Sequence, residues 1–141
     1  MRILRGGGLK SEELGAASSL SNRFIHANLS DDDLRQAYAN AECFVFPSQY
    51  EGFGIPVLES FACNCPLVCS NASSLPEVAG DAAEYFDPLD ADEMSAKILK
   101  VIEDETLREN LRAAGQERLK LFSWDKTAQE TFDVYKRTLE N

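Results

Sequence analysis

With 141 residues, 44% hydrophobic and 27% charged, the chain has the size and composition of one soluble globular domain, large enough to bury a core without staples. Its net charge of −10 argues against nucleic acid as a partner, because binding a phosphate backbone needs a basic face. No apolar run approaches the ~20 residues of a membrane span, and MRILRGGG at the start is too short and polar for a signal peptide, so a cytoplasmic location is expected.

In chain order, RIL (residues 2–4) is a short apolar run that ends at Gly6-Gly7-Gly8. Ser11 is placed to cap a helix reaching about residue 20, with Glu12 and Glu13 suited to its positive end. RFIHA (23–27) reads as a strand. Ser30 followed by Asp31, Asp32 and Asp33 has the form of a capping box, with Asp in place of Glu, before a helix running to about Ala41. Leu34, Ala37, Tyr38 and Ala41 recur at helical spacing, so one face of that helix is expected to be buried. CFVF (43–46) is a continuous apolar run closed by Pro47-Ser48, which predicts a parallel-sheet strand buried on both faces. PLVC (66–69) is another short apolar strand. SLPEV (74–78) reads as a helical turn with proline near its start, and AEYF (83–86) as a short edge strand closed by Asp87-Pro88.

From Asp92 the pattern turns helical. Met94, Ile98, Val101 and Ile102 share one face, and Leu107, Leu111 and Ala114 continue the spacing in a following segment. Ser123 or Asp125 then caps a last helix, on which Ala128, Phe132, Tyr135 and Leu139 share a face. Trp124 is expected to be a packing anchor where two helices meet. Strands alternating with helices imply an α/β fold with a parallel sheet.

The stretch YEGFGIPVLE (50–59) follows the strand CFVF directly. In open α/β sheets, ligands bind beyond the carboxyl ends of the strands, and this stretch sits at such an end. Gly52 and Gly54 permit positive φ and close approach of a ligand to the backbone. Pro56 suits a first helical turn. The helix that follows turns its free N–H groups toward the loop, which offers an anionic ligand a site without lysine. Glu51 lies in the loop and Glu59 about one turn into the helix. A carboxylate accepts two hydroxyl hydrogen bonds side by side, so this layout suits a ligand with a hydroxyl cluster at each end and phosphate between, as in a nucleotide sugar. A glycosidase also needs two carboxylates, but gives no reason for a glycine turn feeding a helix N-terminus.

Other candidates have plainer readings. Cys43, Cys63, Cys65 and Cys69 lack the paired spacing of a structural zinc site and have only His26 as a distant fourth partner type, so they read as small buried side chains in a reducing compartment, with no metal. Gly6-Gly7-Gly8 lacks the rest of a phosphate-loop motif and reads as a turn, with Gly7 lining the ligand crevice. His26 reads as a strand residue, and the three aspartates as a helix start.

EGFGIPVLE resembles the E-x₇-E signature of retaining glycosyltransferases with the GT-B fold, most closely family 4, also called glycosyl transferases group 1. The flanks agree: AYANAECFVFPS resembles the helix and strand before the motif, ESFACNCPLVCSNASSLPEVAGDAAEYFDP the segment after it, and LRENLRAAGQERLKLFSWDKTAQETFDVY the closing helices. The resemblance implies a Rossmann-like parallel sheet flanked by helices, as part of a GT-B C-terminal, donor-binding domain spanning residues 1–141. It assigns the catalytic contact with the donor sugar to Glu51. Backbone N–H groups of Gly52, Phe53, Gly54 and Ile55 would hold the sugar and diphosphate, Glu59 the ribose, and the backbone of Ala27, Asn28 and Leu29 the base. The donor substrate would be a nucleoside diphosphate sugar, with no cofactor and no dependence on metal. The expected activity is transfer of a hexosyl group to an acceptor hydroxyl with retention, and the alternative is a non-catalytic nucleotide-sugar binding or interaction module.

Two departures from the family pattern shape these expectations. The N-terminal acceptor domain has no counterpart here, nor does the first β-α unit that supplies an Arg and a Lys to the diphosphate. The isolated chain is therefore expected to be inactive, to depend on that domain as a partner, and to self-associate through apolar surface; its parent enzyme is compatible with a place at the membrane periphery. Asn64 stands where the family usually has Gly, and Asn is the residue that best replaces Gly in left-handed backbone.

Overall fold

The computed structural model describes residues 27–140. The expected elements at residues 2–4 and 11–20, most of the strand at 23–27, His26 and the turn containing Gly7 lie outside the described residues. Contacts divide the chain into two compact units, residues 1–36 and 37–141.

Residues 30–33 begin a helix as expected. Ser30 Oγ accepts from the Asp33 N–H (3.3 Å), the first half of a capping box, ahead of α1 (Asp31–Ala39), and its hydroxyl donates to Asp33 Oδ2 (2.7 Å). The helix stops two residues short of the expected end, and Tyr38 is its buried residue.

In the second unit, β1 (Phe44–Phe46), β2 (Leu67–Ser70) and β3 (Ala83–Phe86) form a parallel sheet in that order. Phe44 pairs with Leu67, and Leu67 with Ala83. α2 (Ile55–Ala62) connects β1 to β2, and α3 (Leu75–Ala79) connects β2 to β3. α4 (Ala91–Glu103), α5 (Glu105–Leu119) and α6 (Trp124–Leu139) complete the chain.

The period-two geometry of strands sorts the apolar residues into two cores. Leu67 and Cys69 of β2 point to one face, with Val57 and Phe61 of α2 and Leu75, Val78 and Ala79 of α3. Val68 points to the other, with Phe86, Val101 and Leu111. Every residue of β2 is buried, the pattern of a central parallel strand. β1 differs from expectation. Its residues are only half-buried, because among the described strands it pairs on one side alone.

Two tight spots fix the helices around these cores. Asn64, which follows α2, adopts φ 57°, the left-handed backbone that its identity suggested. Gly115 brings α5 against α2 so closely that a Cβ there would lie 2.7 Å from Phe61 Cδ1. The last helix departs from expectation. Ser123 caps it by accepting from the Lys126 N–H, but none of its residues is buried. Trp124 is 79% exposed, so it is not a packing anchor, and Phe132, Tyr135 and Leu139 form an uncovered stripe. Ile102 is likewise exposed, at the rim of the α4 face.

No helix among the described residues is long and apolar enough to cross a membrane.

Candidate functional site

The loops after β1 and β2 both leave the sheet at its carboxyl end, the usual ligand side of a parallel sheet. The first runs from Pro47 into α2. Gly54 is the N-cap of that helix, at φ 98°. A side chain there would be strained by the backbone and would also meet Leu75 Cδ2 at 2.7 Å, so only glycine fits. Gly52 differs from expectation: its φ is not positive, and a Cβ would find nothing within 4 Å. It keeps the surface of the loop open rather than supplying an unusual conformation.

Gly54 has no side chain to cap α2, and Pro56 has no N–H to be capped. The Gly52, Phe53, Gly54 and Ile55 N–H groups have no hydrogen-bond partner among the described residues, whereas the Val57 N–H donates to the Gly54 carbonyl at 2.9 Å. Gly54 and Ile55 stand at the helix start, where free N–H groups carry partial positive charge without any cationic side chain, and Gly52 and Phe53 lie in the loop just before it.

The two glutamates are held from different sides. Ser48 Oγ donates to Glu51 Oε1 at 2.8 Å. Glu59 is exposed on α2, and the Tyr38 hydroxyl approaches its Oε2 at 3.4 Å. Tyr38 packs edge-on against Phe44, with ring centroids 5.0 Å apart. Burial, then the charge of Glu59, raises its phenol above the ordinary tyrosine value, so it remains a donor across the physiological range.

The second loop supplies hydroxyls that sequence reasoning missed. Ser70 donates to the Ser48 carbonyl. Ser73 donates to the Glu51 carbonyl at 2.8 Å, and Ser74 Oγ lies 3.0 Å from both the Glu51 and Phe53 carbonyls. The available signal was four serines placed at or just beyond two strand ends, in FPS and CSNASS. Behind the turn, Phe53 meets Phe122 edge-to-face at 5.8 Å, and the Arg118 guanidinium lies 5.6 Å from the centre of the Phe122 ring. Arg118 also donates to the Val78 carbonyl (3.0 Å) and to that of Glu77. A groove of about 280 Å³ runs along Gly52, Phe53, Ser74, Glu77, Val78, Arg118 and Phe122, and neither Glu51 nor Glu59 lines it.

Ala27, Asn28 and Leu29 form an irregular segment before α1, with Asn28 exposed, and belong to the first compact unit. Gly7 lies outside the described residues. All four cysteines are free. Burial pushes the Cys65 and Cys69 thiols up to about 12 and Cys43 to about 11, so they are poor nucleophiles.

A parallel α/β sheet with a glycine turn leading from a strand end into a helix is a Rossmann-like arrangement. Comparison with known proteins says which. The profile of the family described as "Glycosyl transferases group 1" matches residues 10–118, and the chain belongs to that family. The O-antigen chain mannosyltransferase B of Escherichia coli is 49% identical over 106 residues, covering 75% of this chain and 28% of that protein. The MMP alpha-(1->4)-mannosyltransferase of Mycolicibacterium hassiacum is 34% identical over 135 residues, covering 92% of this chain and 33% of that protein. Sucrose-phosphate synthase from Thermosynechococcus elongatus aligns with 99% of this chain and 38% of its own, at a TM-score of 0.82 and 24% identity. TarM aligns with 95% of this chain and 28% of its own, at 0.80 and 15%. The fold is that of the C-terminal domain of a GT-B glycosyltransferase. The chain spans about a third or less of the length of these mannosyltransferase relatives.

Proposed function

We propose that this chain is the donor-binding part of a retaining glycosyltransferase, which moves a mannosyl group from a nucleoside diphosphate sugar to an acceptor hydroxyl. The observation that carries this reading is the row of N–H groups at Gly52, Phe53, Gly54 and Ile55, without partners among the described residues, which leads into α2 between Glu51 and Glu59. Family membership supports transfer chemistry, and two relatives that are mannosyltransferases support mannose as the sugar.

In this reading Glu51 bonds the sugar hydroxyls while Ser48 fixes its carboxylate. Glu59 accepts from the ribose hydroxyls. As the anomeric C–O bond breaks, negative charge builds on the diphosphate. Preoriented N–H groups meet that charge with little reorganisation, a main source of rate enhancement. In this reading the further cations that a diphosphate needs come from outside this chain, whose net charge is −10. No metal or cofactor enters the chemistry as proposed.

A titration with UDP-, GDP- and ADP-sugars tests the reading. One nucleotide class is expected to bind best, and Glu59→Ala to weaken that binding about 10- to 100-fold, the loss of hydrogen bonds to a charged group worth roughly 1.5–3 kcal/mol. Affinity unchanged by Glu59→Ala would remove the ribose assignment.

A further inference from the structure

The serines after β2 bear on which way the loop N–H groups point. In a trans peptide the C=O and N–H lie antiparallel. Ser73 Oγ donates to the Glu51 carbonyl at 2.8 Å, drawing it toward the β2–α3 loop. The N–H of the same peptide, that of Gly52, therefore points away from the serines. Ser74 Oγ is 3.0 Å from both the Glu51 and the Phe53 carbonyls. With Ser73 serving Glu51, the single Ser74 proton is available to Phe53, and the N–H of the buried Gly54 points away from Ser74 in the same way. Two hydroxyl protons thus anchor two peptide planes.

The local chemistry of both serines agrees. Ser74 is the N-cap of α3, where a serine ordinarily accepts from its own helix, yet it makes no such cap bond. Ser73 sits at φ 55°, where glycine would be the less strained choice. Glycine, however, has no hydroxyl to reach Glu51.

We propose that Ser73 and Ser74 are positioning residues, which aim the Gly52 and Gly54 N–H groups at the diphosphate sugar without touching it. This rests on the donor-binding reading above. Ser70 and Ser48 extend the same link between the two loops, since Ser70 donates to the Ser48 carbonyl and Ser48 to the Glu51 carboxylate.

The test has two readouts. In the ligand-free chain, ¹⁵N order parameters of the Gly52 and Gly54 N–H groups are expected near the rigid value of about 0.85, falling below about 0.6 in a Ser73→Ala/Ser74→Ala double variant. Ser74→Ala alone loosens Gly54 more than Gly52, and Ser74→Thr, which keeps the hydroxyl, restores it. In titrations, the double variant weakens the best-binding nucleotide sugar at least about 10-fold and leaves the matching nucleoside unchanged, whereas Glu59→Ala weakens both. A general loss of folding would weaken both ligands and would not be reversed by threonine. Unchanged order parameters overturn the clamp whatever binds. Loosened N–H groups with unchanged sugar affinity overturn the positioning role. If no nucleotide sugar binds the wild-type chain, the donor-binding reading falls, and the order parameters still decide whether the serines fix the turn.

Discussion

At position 54 backbone and packing make the same demand. The residue is left-handed at φ 98°, and Leu75 Cδ2 occupies the space a Cβ would need. Gly54→Ala is therefore expected to cost about 1–3 kcal/mol, read as a lower midpoint in denaturant unfolding. Gly52→Ala, two residues away, has open space and an ordinary φ, and should change stability by less than about 0.5 kcal/mol while narrowing the approach to the loop. Equal costs at both positions would contradict this division. The sequence made both glycines visible but could not separate them, because a glycine's conformation depends on its neighbours. Asn64 was legible, since Asn tolerates left-handed backbone. Ser73 and Ser74 were not. A serine before a helix reads as a cap for that helix, and only the fold brings Glu51 and Phe53 within reach of these hydroxyls.

Among the elements, β3 and α4 are joined by a charged contact on an otherwise apolar face. Glu84 accepts from Lys97 at 3.0 Å and from Lys100 at 2.6 Å. Burial alone would raise its carboxyl, but the two ammonium groups outweigh burial and hold it below the ordinary glutamate value. A depressed folded-state pKa contributes stability above the unfolded value, near 4.3, and loses it as pH falls through the folded one. Glu84→Gln is accordingly expected to be less stable than wild type at pH 7, with the gap closing as the pH falls below the ordinary glutamate value in paired denaturant unfolding curves. A gap independent of pH would show that the ion pairs contribute nothing. Elements of this kind were largely legible. The unbroken apolar run of β2 and the helical spacing of α4 and α5 follow directly from burial. Trp124 misled, because a large aromatic beside a cap residue suggests packing, while α6 has no buried residue in which that packing could end. For β1 the apolar pattern was right and the burial overestimated, since a run of residues does not reveal how many neighbours its strand has.

For the molecule as a whole, charge and geometry pull in opposite directions. A chain with a net charge of −10 repels a diphosphate, yet its sheet delivers a turn whose N–H groups suit one. Arg118, a cation beside that turn, is already engaged with the Val78 and Glu77 carbonyls and the Phe122 ring. On the proposed donor-binding reading, affinity in this chain would rest on backbone dipoles and the two glutamates, and is expected to be modest. The most direct measurement is an amide-resolved NMR titration with the nucleotide sugar that binds best. The Gly52, Phe53, Gly54 and Ile55 N–H signals should shift together and saturate with one dissociation constant, and the matching nucleoside should leave them in place. Saturable binding whose shifts map elsewhere, with these four signals unmoved, would contradict the donor site.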